Sequence, residues 1–99
     1  MIRGTTPTLE FVLPFDANVL TTVYVTFAQK GEIVLEKTLE DCVCGDNRIT
    51  VKLTQEETLK LVGGSFTEIQ IRAKTEDGNA LASNIMYEAT ERILKEDVI

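Results

Sequence analysis

Apolar and polar residues alternate along most of this chain with a period of two, the spacing of half-buried β-strands rather than helices. Between Thr8 and Leu13, the side chains of Leu9, Phe11 and Leu13 fall on one face and those of Thr8, Glu10 and Val12 on the other. Pro7 and Pro14 bracket this stretch and lack backbone donors, which suits a short edge strand. The run Thr21 to Gln29 is richer in β-branched and aromatic residues, with Val23, Val25 and Phe27 facing one way and Thr22, Tyr24, Thr26 and Ala28 the other. Lys30-Gly31 supplies a tight turn, so Glu32 to Thr38 is expected to fold back as a hairpin with Ile33 and Leu35 inward.

Leu39 to Asn47 reads as a short strand closing into the Gly45-Asp46-Asn47 turn, and Arg48 to Leu53 as a further strand with Ile49, Val51 and Leu53 on one face. The alternation then breaks. Thr54-Gln55-Glu56-Glu57 has the form of a capping box, in which the Thr54 hydroxyl accepts from the Glu57 amide and the Glu57 carboxylate reaches back. It predicts a short helix that ends near Val62, before Gly63-Gly64, and packs Leu59 and Val62 on the sheets. From Ser65 to Thr75 period two resumes, with Thr67, Ile69, Ile71 and Ala73 opposite Glu68, Gln70, Arg72 and Lys74. Glu76-Asp77-Gly78-Asn79 is a hairpin turn signal. Beyond it Leu81, Ser83, Ile85, Tyr87 and Ala89 share a face of one long strand, with a bulge expected near Ser83-Asn84. Residues 91–99 mix Ile93, Leu94, Val98 and Ile99 with charges, a pattern that fits either a docked helical turn or a loosely ordered tail.

About seven short strands, joined by turns and without a helix long enough to cross between parallel strands, predict an all-β fold: an antiparallel, immunoglobulin-like β-sandwich with one short helix. A chain of 99 residues, 43% of them apolar, can fill one core and is too short for two, so residues 1–99 are expected to form one domain.

Charge and residue usage narrow the function. Ten basic against 16 acidic residues give a net charge of -6, and the basic residues are scattered from Arg3 to Lys95, so nucleic acid is not the expected partner. No apolar run reaches membrane-spanning length and Met1 to Pro7 lacks the form of a secretory signal, so the expected place is the cytoplasm of the producing cell, away from the membrane. The chain has no histidine, which excludes Ser-His-Asp and Cys-His nucleophile systems and histidine-based metal sites. The only serines, Ser65 and Ser83, lie outside any nucleophile-elbow pattern, and no phosphate-binding glycine motif occurs. Neither catalysis nor a cofactor is expected.

Cys42 and Cys44 would share one face of a strand about 7 Å apart, near the limit for a disulfide, and read as two half-buried thiols. The alternative is half of a metal site completed by a second chain. Asp41, Asp46 and Asn47 surround a turn, but without the spacing of an EF-hand, so local backbone hydrogen bonds are their expected role rather than calcium. The expected interaction surface for a protein partner is the Leu9 and Phe11 edge strand together with Tyr24 and Tyr87, while Thr54 and Glu57 are the structural helix cap.

Four motifs point further: Ile2-Arg3-Gly4-Thr5-Thr6-Pro7-Thr8, Leu13-Pro14-Phe15, Lys52-Leu53-Thr54-Gln55-Glu56-Glu57-Thr58 and Ala80-Leu81-Ala82-Ser83. Together they resemble small proteins encoded beside tail genes in phages and prophages of Gram-positive bacteria. More distantly, the layout is similar to the N-terminal β-sandwich domain of phage baseplate upper proteins, although those continue into a helical linker and further domains. The resemblance implies a non-enzymatic assembly module that contacts itself or other tail proteins and enters a virion. The alternative is a free-standing protein-binding or regulatory domain acting inside the host.

Overall fold

In the computed structural model, which describes residues 1–99, eight strands and one short helix follow in the order β1 (Thr8–Val12), β2 (Leu20–Gln29), β3 (Glu32–Thr38), β4 (Cys42–Cys44), β5 (Arg48–Lys52), α1 (Gln55–Leu59), β6 (Ser65–Thr75), β7 (Ala80–Ala82) and β8 (Met86–Thr90). They form two antiparallel sheets: β1-β5-β4 in one, and β3-β2-β6 in the other, with β7 and β8 lying end to end along the remaining edge of β6. This is the order B-E-D facing C′-C-F-G of an immunoglobulin-type sandwich, with no strand A beside β1. The antibody hallmarks are missing too, since the chain has no Trp and both cysteines sit on β4.

The alternation read from the sequence decides what faces the space between the sheets. Val23, Val25 and Phe27 of β2 and Ile69 and Ile71 of β6 are buried there against Ile49 and Leu53 of the opposite sheet. Each such side chain contributes about 1.5–3 kcal/mol by leaving water. Strand β2 is central, paired with β3 on one side and β6 on the other. Its turn into β3 puts Lys30 and Gly31 at φ 52° and 81°, the left-handed pair whose twist suits adjoining strands.

Three expectations need correction. Phe27 pairs with Leu35 but Ala28 pairs with Ile33, so Val34 is an extra residue, a β-bulge. Leu35 therefore stays inward while Ile33 turns to the outer face, where it is 68% exposed. Lys37, two residues beyond Leu35, is carried inward with it. The last strand breaks near Ser83-Asn84 as expected, but into two strands whose faces differ, so Leu81 points inward and Tyr87 outward. At the break Ser83 takes over the ladder, its amide donating to Ile71 O at 2.9 Å and its hydroxyl accepting from Ile71 N at 3.0 Å. The helix is shorter than expected, and its anchors are Thr58 and Leu61, both fully buried, whereas Val62 is exposed.

So short a helix needs outside support. Arg3 Nη2 donates to Leu59 O at 2.7 Å and its Nε to Leu61 O at 2.8 Å, satisfying carbonyls at the helix C-terminus. On the far side Gln29 of β2 grips the following loop, accepting from Val62 N at 2.8 Å and donating to Val62 O at 3.0 Å. Residues 92–99 contain neither helix nor strand; Gln55 pairs with the Ile99 backbone through both amide atoms, and Arg3 bonds Glu96.

A candidate protein-interaction site

Where the chain leaves β1 through Val12-Leu13-Pro14-Phe15, the two sheets part and an apolar groove of about 310 Å³ opens to solvent. Leu13 and Phe15 form one wall, Leu81 the other, and the buried Leu20, Ile49 and Ile71 the floor. No charged side chain lines it. Pro14 cannot donate to a ladder, and β1 ends just before it.

Two strand edges flank the groove, and the ladders show which backbone groups they leave free. Leu53 N bonds Pro7 O at 3.0 Å and Leu13 N bonds Asn47 O at 2.7 Å, one at each end of the β1–β5 pairing. Hydrogen-bonded pairs alternate in an antiparallel ladder, so Leu9 and Phe11 also bond β5, and Thr8, Glu10 and Val12 turn their N–H and C=O outward. On β7, Thr75 N to Asn79 O and Ser83 N to Ile71 O, both 2.9 Å, fix the alternation in the same way. Ala80 and Ala82 are left facing outward. Charged residues commonly blunt such edges, but Ala80-Leu81-Ala82 carries none, and all three residues are exposed.

The residues expected to meet a partner do not converge. Leu9 and Phe11 are half-buried and pack against the core, so they hold the β1 edge in place rather than present a surface. Tyr24 and Tyr87 are exposed on the outer face of the five-stranded sheet, 43% and 68% accessible, with β6 between them. They pair with different residues of β6, Arg72 and Glu68, and form no shared cluster. The groove itself joins residues distant in sequence; the one local signal for it is an uncharged edge strand, Ala80-Leu81-Ala82.

The helix cap is present as expected. Thr54 Oγ1 accepts from Glu57 N at 3.1 Å and Glu57 Oε1 accepts from Thr54 N at 2.8 Å. The second carboxylate oxygen, Oε2, takes Lys37 Nζ at 2.6 Å. Burial alone would push the Glu57 carboxyl up, but the hydrogen bonds from Lys37 and Thr54 outweigh it and hold the group below its ordinary 4.5.

Cys42 and Cys44 are free, half-buried thiols packed against the core. Burial, with Cys44 and Asp41 adding negative charge nearby, pushes Cys42 up to about 11. Burial raises Cys44 as well. Alkylation by iodoacetamide at pH 8 is therefore expected to label Cys42 at least about tenfold more slowly than an unfolded control, measured by peptide mass spectrometry. The Asp41 carboxylate accepts from Thr38 N at 2.9 Å and caps the 3₁₀ turn of Leu39–Asp41. No helix is long and apolar enough to cross a membrane. Compared with known proteins, the chain matches no family model, no curated protein and no solved structure.

Proposed function

We propose that this domain is a non-enzymatic protein-binding module that works in assembly, and, from the resemblance of its motifs to those of tail-locus proteins, that the assembly is a phage or prophage tail. The observation that carries the binding reading is the apolar groove flanked by unpaired strand edges, a combination suited to a polypeptide partner. The absence of histidine supports a role without catalysis. On this reading the chain folds in the cytoplasm of the producing bacterium and joins a virion through contacts with itself or other tail proteins.

Co-expression with the products of flanking genes tests it. A stable complex with a tail or baseplate protein is expected, and Leu81→Glu, which puts a charge on the groove wall, is expected to weaken that complex at least about tenfold without unfolding the exposed β7 edge. A gene neighbourhood devoid of tail genes contradicts the phage assignment. A complex untouched by Leu81→Glu contradicts the groove as the contact.

A further inference from the structure

We infer that the groove binds an extended partner segment with alternating apolar and acidic side chains, which adds as a strand to the free edge of β7. This rests on the protein-binding reading and specifies its chemistry. The outward N–H and C=O of Ala80 and Ala82 offer a ladder to a new strand. In that ladder, partner residues opposite Leu81 share its face and enter the apolar groove between Leu81 and Leu13, where a buried charge would go unpaired. Residues opposite Ala80 and Ala82 come out on the other face, that of the outer sheet surface.

That outer surface selects the charge. Ala80 pairs with Lys74 and Ala82 with Arg72 across β6. Both cations are exposed, and none of the five ion pairs in the molecule includes either. The alanines are too short to screen them, so the long basic side chains can reach across β7 to the next strand. Within a chain of net charge -6 this is a local basic stripe beside an open edge. Glu76 and Asp77 stand in the turn beyond Ala80 and disfavour acid there, which places the partner's acidic residues opposite Ala82 and Ala80 and no further. Tyr24, the β2 neighbour of Arg72, adds no charge of its own.

Fluorescence anisotropy with short synthetic peptides tests the inference on the intact domain. A labelled peptide of alternating valine and glutamate, about six residues long, is expected to bind. Replacing its glutamates by lysine, or N-methylating the amides that face β7, is expected to weaken binding at least about tenfold. The exposed double variant R72E/K74E is expected to reverse the charge preference, with an unchanged thermal transition showing that it folds. Ala82→Pro, which removes one outward donor from the edge, is expected to weaken both peptides.

Binding indifferent to peptide charge and to N-methylation overturns the inference. So does an apolar small molecule that occupies the groove with no effect of R72E/K74E, or sedimentation showing that a second copy of the chain already covers β7. If the tail-protein complex forms and is lost in Leu81→Glu while no peptide discriminates by charge, strand addition fails and the protein-binding reading stands. If neither complex nor peptide binds, both fail.

Discussion

Glu57→Ala is expected to lower stability by about 3–5 kcal/mol, because it strands the Lys37 ammonium in the protein interior. Lys37 is 8% exposed, and its one acidic partner is Glu57 Oε2, at 2.6 Å. The same substitution removes half of the capping box, worth about 1 kcal/mol at a typical helix start. Domains of this size are stable by about 5–15 kcal/mol, so the thermal midpoint should fall by more than about 10 °C. The double variant Lys37→Met with Glu57→Gln separates the two contributions. Gln keeps the cap, Met fills the stem's volume without a charge, and most of the stability should return. A double variant as unstable as Glu57→Ala would contradict the ion-pair account.

The same pair sets an acid limit. The Glu57 carboxyl in the folded state lies below its ordinary 4.5, so its contribution is whole above that value and is lost as pH falls through the lower, folded one. Urea titrations from pH 7 downward should show this loss in the wild type, and a smaller loss in the Lys37→Met, Glu57→Gln variant.

Gln29→Leu is the second large effect, at about 2–4 kcal/mol. Gln29 is 6% exposed at the end of the central strand, and its side chain makes three hydrogen bonds: two with the Val62 backbone and one from Nε2 to Thr67 Oγ1 at 3.2 Å. Leu fits the space but leaves the Val62 amide and carbonyl without partners. Thr67 keeps its 2.6 Å hydrogen bond with Thr90, so the damage should stay near the loop after α1. Hydrogen exchange should show faster opening of residues 60–64 with the sheet amides slowed as before; uniform acceleration across the sheet would mean that Gln29 supports the whole core.

These two sites also mark how far the sequence could be read. Strands β2 and β6 were legible because their alternation is long and every inward position is apolar or Thr up to their ends. The cap was legible because Thr54 and Glu57 are local partners at fixed spacing. Lys37 and Gln29 were not, since polar residues at inward positions are satisfied by partners 20 and 33 residues away. The outward face of Ile33 is hidden from the sequence for a related reason: one extra residue at Val34 inverts the face of what precedes it, and no residue type announces that bulge. The groove depends on five separated segments meeting, so its wall at Leu81 reads only as part of a strand. Its meaning lies in what does not pair with it.

Amide hydrogen exchange on the domain, alone and with the valine-glutamate peptide, tests the groove and its open edge most directly. Ala80 and Ala82 N–H, directed away from β6, should exchange fast in the free protein and become protected by at least about tenfold when the peptide is bound. Protection appearing elsewhere, with Ala80 and Ala82 still exchanging freely, would contradict strand addition at β7.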